Sequence, residues 1–217
     1  GFDTSNVTNM SNMFEDCTSL TKLPITANIN RIDEYAFSGC NQISSLVIPE
    51  GVDTIGNCAF EYCGTFTSVH IPNSVTSLSY SSFSNTDIDS LYWNAGQMKY
   101  SPFWGEGVSE LDVEYISFGD SISRIPTEFC GYMQRLTKVD FSEHVTTIGY
   151  GAFQGCKALT SITLPETITD IEERAFYSCS NLKEITLPEN ITRIKAHTFE
   201  DCTGLTKLPL PSSINRI

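Results

Sequence analysis

IEERAFYSCSNLKEITLPENITR, from Ile171 to Arg193, is a 23-residue unit that the rest of the chain repeats. The phenylalanine of this unit, Phe176, has counterparts at Phe14, Phe37, Phe60, Phe83, Phe129, Phe153 and Phe199. The steps between them are 23 or 24 residues, except for one step of 46 residues that contains a degenerate copy. A period of about 20 to 50 residues is typical of a solenoid, in which each repeat packs on its neighbours.

The spacing within the unit predicts the path of one coil. Ile185 and Leu187 alternate with polar residues, which is the period of a half-buried strand. Pro188 ends that strand because proline has no N–H to donate. Ile191 and Ile194, three residues apart, indicate a second short extended piece on the opposite side. The Ala-Phe-x-x-Cys segment has the spacing of one turn of α- or 3-10 helix.

We therefore expect residues 1–217 to form a single solenoid of about nine coils, with an irregular coil at about residues 84–124. Each coil should place its short strand beside those of its neighbours, in one parallel sheet on the concave side. In the irregular coil, Phe103 or Trp104 should replace the missing phenylalanine. The near-identity of residues 14–24 and 199–209 indicates copying within a longer array, of which this chain would be a fragment.

Charge and hydropathy exclude some classes of partner. The chain has 26 acidic and 13 basic residues, a net charge of −13, and no basic cluster. Nucleic acids and anionic membranes both attract clustered Lys and Arg, so neither is an expected partner. No apolar run is long enough for a membrane-spanning helix, so we expect no membrane insertion.

The eight cysteines do not have the pattern of a disulfide framework. Six of them share one position of the repeat, which predicts a buried ladder of reduced thiols that act as small apolar fillers; they are Cys17, Cys40, Cys63, Cys156, Cys179 and Cys202. Cys58 and Cys130 lie off this ladder, and Cys58 should be exposed. A bridge between Cys58 and Cys63 is the less favoured alternative. No Cys-x-x-Cys pair indicates zinc.

No catalytic constellation is visible in the sequence. His70, His144 and His197 occupy three different positions of the repeat, and no HExxH, GxSxG or phosphate-binding glycine loop occurs. Two acidic pairs, Asp87/Asp89 and Asp112/Glu114, are better explained as solvated loop or strand-edge residues than as paired acids or calcium ligands. We predict no catalytic residues, no metal and no cofactor; an enzyme would need a pocket built in residues 84–124.

The repeat resembles a known family. IGYGAFQGCKALTSITLP, residues 148–165, is similar to the BspA-type leucine-rich repeat of bacterial and some protist surface proteins. The opening DTSNVTNMSNMFEDC, residues 3–17, is similar to a sister repeat of surface proteins from Gram-positive bacteria and mycoplasmas. The resemblance implies a right-handed leucine-rich-repeat solenoid on an exported, often multidomain protein. It also implies a cell-surface or secreted location and a role in adhesion, and it carries over no catalytic residues.

The outward positions of the strands are the places to look for a binding surface, because packing does not fix them. In the regular copies these positions hold mostly Ser and Thr. The middle of the chain differs, because there they hold the residues that we call the concave patch: His70, Tyr92, Tyr115, Lys138 and Asp140. Aromatic residues with polar tips are common anchors of recognition surfaces. Trp93 and Trp104 are secondary candidates, with filling of core volume as their alternative role.

The function predicted from these features is that of a non-enzymatic binding module. It would recognise a protein on a host or on a neighbouring cell through its concave face, with a glycan as the less favoured ligand. The alternative is a structural spacer that has no ligand of its own.

Overall fold

The computed structural model describes residues 7–25, 29–103, 111 and 113–216. These residues contain fifteen short strands and no helix. The strands are β1 (Arg31–Ile32), β2 (Ser45–Val47), β3 (Thr54–Ile55), β4 (Gly64–Phe66), β5 (Ser68–Ile71), β6 (Ser77–Leu78), β7 (Thr86–Ile88), β8 (Ser90–Trp93), β9 (Tyr115–Phe118), β10 (Arg124–Ile125), β11 (Lys138–Asp140), β12 (Thr147–Ile148), β13 (Ser161–Thr163), β14 (Asp170–Ile171) and β15 (Glu184–Thr186). All pairing between them is parallel, so the chain forms a β-solenoid of the leucine-rich-repeat type.

The inner face of the solenoid carries the strands predicted from the Ile-x-Leu-Pro pattern. Strands β2, β5, β8, β9 and β11 form one five-stranded sheet in that order, and β13 and β15 form a second sheet of two. The predicted register is confirmed, since Val69 lies opposite both Leu46 and Leu91. Seven inner strands are linked by about six turns, so the expected count of nine coils is not supported.

The second extended piece of the coil is also present, as six strands of two residues each. Strands β1, β3 and β6 pair in one outer sheet, and β10, β12 and β14 pair in another. Ile171 lies in β14 and pairs with Ile148. It is one repeat before Ile194, the residue from which the extended piece was predicted. An additional pair, β4 and β7, occurs only beside the irregular coil among the described residues.

The predicted helical turn is wrong, and a chain of tight turns replaces it. In residues 33–40, the N–H groups of Tyr35, Phe37 and Gly39 donate to carbonyl groups of the next coil at 2.8–3.0 Å. The alternate N–H groups donate within the coil. Tyr35 and Gly39 have φ of 55° and 76°, whereas a helix needs negative φ throughout. Stacking between coils thus uses the backbone donors that a helix would keep for itself.

The core is organised by stacked phenylalanine rings. Phe14, Phe37, Phe60 and Phe83 stack with centroids 5.1–5.6 Å apart, and Phe153, Phe176 and Phe199 stack at 5.4–5.7 Å. Between the two stacks most rings meet at steep angles instead, although Phe118 and Phe141 are stacked at 18°. Phe103 and Trp93 both pack against Phe129, at 5.5 and 4.9 Å. Phe103 is therefore buried where the consensus phenylalanine is missing, as predicted.

Phe129 does not occupy the repeated phenylalanine position, contrary to the alignment from sequence. The N–H of Cys130 donates to Ala152 one coil on, as the N–H of Phe153 donates to Ala175, both at 2.8 Å. Cys130 therefore fills the phenylalanine position, and Phe129 fills the preceding alanine position. The larger ring fits there because the irregular coil leaves room beside Trp93.

The cysteine ladder is present and all eight thiols are free. Thiols of the ladder donate to carbonyl oxygens 26 residues earlier, as Cys40 does to Phe14 at 3.1 Å. Burial raises the pKa of Cys40 to about 11 and that of Cys63 to about 12. Cys130 is fully buried, and Cys58 is half-buried rather than exposed. In the part of the chain that the structure describes, no helix could cross a membrane.

Candidate functional site

The five residues of the concave patch lie on four neighbouring strands of the inner sheet. His70 is in β5, Tyr92 in β8, Tyr115 in β9, and Lys138 and Asp140 are in β11. Each lies at a position that alternates with an inward-facing residue, which is buried in β5, β8 and β9 and half-buried in β11, so its side chain leaves the sheet on the concave side. The parallel register places His70 opposite Tyr92 and Tyr115 opposite Lys138.

His70 and Tyr92 form a stacked pair. Their ring centroids are 4.1 Å apart and their planes differ by 4°. Cross-strand aromatic pairs of this kind contribute about 0.5–1.5 kcal/mol beyond the area they bury. Burial lowers the pKa of His70, which keeps its imidazole neutral at neutral pH. The pair is thus a rigid, uncharged ridge on the concave face.

Tyr115 joins this ridge to a polar group. Its ring meets that of Tyr92 edge to face at 5.7 Å. Its hydroxyl donates to Oδ2 of Asp140 at 2.7 Å, and Nζ of Lys138 donates to the same oxygen at 3.1 Å. Lys138 Nζ also lies 4.9 Å from the centre of the Tyr115 ring. All five predicted residues therefore form one connected surface.

Electrostatics within the patch follow from these contacts. The hydrogen bond from Tyr115 lowers the pKa of Asp140, and Lys138 lowers it further. The pKa of Tyr115 is raised by burial and by Asp140. The side chains of Lys138 and Asp140 are 65% and 47% exposed, so water screens their ion pair and it adds little to stability. Its main effect is to hold Tyr115 in one orientation.

Sequence reasoning did not select Val47, which extends the patch. Val47 lies opposite His70 in the next strand and is 60% exposed. It occupies the same position of the repeat as His70, so the 23-residue period could have identified it. Val47, His70 and Tyr92 form a continuous row of exposed apolar and aromatic residues.

A cavity of about 400 Å³ adjoins this row, at the carboxyl ends of β2, β5, β8 and β9. Its walls include Val47, His70 and Tyr92, together with the two strand-terminating prolines Pro49 and Pro72. Proline has no N–H, so these two positions offer no backbone donor.

A second cavity of about 480 Å³ lies at the other end of the patch, between β11 and β13. Lys138 and Asp140 line one side of it, and Ser161 and Thr163 line the other. Strand β13 pairs with β15 and not with β11, so the inner sheet is interrupted there. The outer strands β10, β12 and β14 pair without interruption, so the outer sheet continues past this junction.

The secondary candidates are not both placed on this surface. Trp93 is completely buried, and its ring packs among Phe103 and Phe129 in the core. Its alternation along β8 turns it away from Tyr92, so Trp93 fills volume in the core. Trp104 lies outside the described residues.

The acidic, histidine and cysteine side chains of the described residues decide whether metal sites or acid pairs are possible. Among them no group of three or more His, Cys, Asp or Glu side chains is placed to hold a metal ion. Asp89 and Glu114 both accept hydrogen bonds from Arg135, at 3.2 and 2.7 Å. These two members of the acidic pairs noted in the sequence are therefore ion-pair partners of an arginine. Asp112 lies outside the described residues.

Comparison with known proteins identifies the repeat. The model of the "BspA type Leucine rich repeat region" family matches residues 4–104 and 108–217, in six copies. No curated protein sequence matches the chain.

Solved structures with a similar fold come from several bacteria. A leucine-rich cell surface protein of Faecalibacterium prausnitzii is 24% identical, with 90% of this chain and 67% of that one covered and a TM-score of 0.45. A leucine-rich repeat protein of Bacteroides ovatus is 20% identical, with 88% and 73% covered and a TM-score of 0.48. A leucine-rich repeat protein of T. pallidum is 16% identical, with 70% and 76% covered and a TM-score of 0.44.

Proposed function

The chain belongs to the BspA-type leucine-rich-repeat family, and we propose that it is a non-enzymatic binding module of a cell-surface or secreted protein. The family is defined by a structural repeat, and its members are in general repeat proteins without catalytic activity. The proposal assigns to this module the recognition of a protein on a host or neighbouring cell. The concave patch is the binding surface.

The connected geometry of the concave patch is the observation that carries this proposal. A spacer needs only a stacked core, and the core of this chain does not require aromatic residues on the outside of the inner sheet. His70, Tyr92 and Tyr115 nevertheless contact one another there, and Asp140 fixes the last of them. Rigid aromatic side chains with polar tips bind partners at a low cost in conformational entropy.

A spacer without a ligand is the second candidate, and the inner strands beyond the patch favour it. Strands β13 and β15 present Ser161, Thr163, Glu184 and Thr186, which are polar residues typical of a solvated surface. A module made only of such coils would hold other domains apart without binding anything.

Binding to purified extracellular-matrix and cell-surface proteins tests the choice between these two functions. The chain would be immobilised beside a Tyr92→Ala/Tyr115→Ala variant and a matched Ser161→Ala/Thr163→Ala control, each shown by circular dichroism to be folded. We expect at least one protein to bind the parent chain and the control but not the patch variant. Binding that the patch variant retains would place the site elsewhere, and no binding at all would favour the spacer.

A further inference from the structure

The residues that line the cavity of about 400 Å³ beside the His70–Tyr92 pair indicate which class of ligand it could bind. It has the size of a pocket for one large side chain. The exposed side chain of Val47 and the two prolines make one part of its wall apolar, and the His70–Tyr92 ridge makes another. An apolar wall of this kind takes an apolar or aromatic group out of water.

The orientation of the rings disfavours a sugar in this cavity. Sugars bind aromatic residues by laying their C–H groups on the ring face, where the π electrons concentrate negative charge. Here His70 covers one face of Tyr92 at 4.1 Å, and the Tyr115 ring meets Tyr92 edge to face at 5.7 Å. His70 therefore covers one face of Tyr92, and that face is not available to a sugar.

Charge adds a second restriction. Glu50 is the one carboxylate among the residues that line this cavity, and no Lys or Arg lines it. The nearest base of the patch, Lys138, is already bonded to Asp140. The chain as a whole has a net charge of −13. A cationic group beside Glu50 would be attracted to its carboxylate, and more strongly where water is excluded.

We propose that this cavity binds a large apolar or aromatic side chain that a protein partner carries next to Lys or Arg. The apolar side chain enters between the His70–Tyr92 ridge and the proline wall, and the neighbouring cation lies at Glu50. This inference rests on the proposed function, because it specifies what the concave patch recognises. It assigns a binding role to Val47 and Glu50, which are not among the five residues of the concave patch.

Capped tripeptides test this proposal by NMR titration of the chain labelled with ¹⁵N. One peptide has Trp between two Lys, a second has Trp between two Glu, and a third has Ala between two Lys. We expect the first to shift the amides of Val47, His70, Tyr92 and Asn94 at millimolar concentration, in low salt. The other two should bind at least about fivefold more weakly, which corresponds to about 1 kcal/mol.

Two exposed glutamates at the same position of the repeat provide a matched pair of variants. Glu50→Gln should weaken the Lys-Trp-Lys peptide several-fold, whereas Glu189→Gln, remote from the cavity, should leave it unchanged. Val47→Asp, at a residue that is 60% exposed, should abolish the shifts without unfolding the chain.

Several results would overturn the proposal. They are equal affinity for the Lys and Glu peptides, no effect of Glu50→Gln, no binding by any of the peptides, or shifts of the same amides by maltotriose or chitotriose instead. The proposed function is tested separately: a partner protein that needs Tyr92 and Tyr115 would support it even if the peptides failed.

Discussion

Tyr115 shows how one residue of the patch is held in place. Its hydroxyl donates to Asp140, its ring contacts Tyr92, and Lys138 lies above it. These contacts fix both ends of the ring, although the ring is only half-buried. The side chain is therefore ordered before any partner arrives, which lowers the entropy lost on binding.

Tyr115→Phe should remove the hydrogen bond to Asp140 and keep the ring. Because that bond is the main cause of the low pKa of Asp140, the pKa should rise toward its ordinary value in the variant. A carboxyl whose folded pKa is depressed stabilises the fold above its unfolded pKa, and this contribution is lost as pH falls through the folded pKa. The variant should thus be less stable by under about 1 kcal/mol at neutral pH and equal to the parent in strong acid. Carboxyl NMR titration of Asp140 measures the shift; an unchanged pKa would contradict the observed bond.

The thiols should fall into two classes of reactivity. Cys17 and Cys58 are half-buried, whereas the other six are buried. Because a disulfide reagent attacks accessible thiolates, the native chain should react quickly at two sites, and the remaining thiols should react only as the chain unfolds. Ellman's reagent counts both phases, and Cys58→Ser should lower the fast count by one. Rapid reaction of all eight would show that the ladder is open to solvent.

At the scale of elements, the strands could be predicted from the sequence and the turns could not. The alternation around Ile185 has a local cause, since one face of a strand is buried, and the period carries that register to every copy. The segment at Tyr35 has helical spacing, but its N–H donates to Asn57 in the next coil. That bond depends on stacking, which no single repeat reveals.

The candidate site, too, could be predicted from the sequence only in part. The period placed His70, Tyr92, Tyr115, Lys138 and Asp140 on adjacent strands, because register alone decides which residues share a face. The ring orientations, the interruption beside β11 and the cavity at Val47 depend on side-chain packing and strand pairing, which the period does not determine. Phe129 took the alanine position and Cys130 the phenylalanine position for a similar reason, since the larger ring went where the irregular coil left space.

Substitution of two glycines by alanine distinguishes the free-energy cost of backbone strain in the turns from the cost of a steric clash. Gly155 and Gly64 have φ of 69° and 77°, so alanine is strained at both. A Cβ at Gly155 would lie 2.7 Å from Cδ1 of Tyr132, whereas at Gly64 the nearest atom is 3.7 Å away. Gly64→Ala should cost about 1 kcal/mol, and Gly155→Ala a further 1–3 kcal/mol or so. Chemical denaturation measures both, and equal losses would rule out the contact with Tyr132.

At the scale of the whole molecule, the inner and the outer sheet are interrupted at different places, the inner one between β11 and β13 and the outer one between β6 and β10. Strands β10, β12 and β14 pair across the junction at which β11 and β13 do not. A half-buried Val139 lies at this junction, while the equivalent Ile116 is fully buried. The concave face therefore has a point at which its curvature can change without breaking the stack.

Hydrogen exchange should detect this junction. Strand β9 is paired on both sides, whereas β13 is paired only with β15. Amides of β13 should therefore exchange about tenfold or more faster than those of β9, because less free energy is needed to open them. The outer strand β12 is an internal control, because it too is paired on both sides, and it should be as protected as β9. Equal protection of β9 and β13 would contradict an interrupted sheet.

The most direct test of the account is the affinity of the chain for a purified protein partner, measured by calorimetry for the parent, the Tyr92→Ala/Tyr115→Ala variant and the Ser161→Ala/Thr163→Ala control. Loss of two aromatic anchors should weaken binding at least about a hundredfold, or about 2.7 kcal/mol, while the control binds like the parent. Equal affinity of all three folded proteins would contradict the claim that the concave patch is the binding surface.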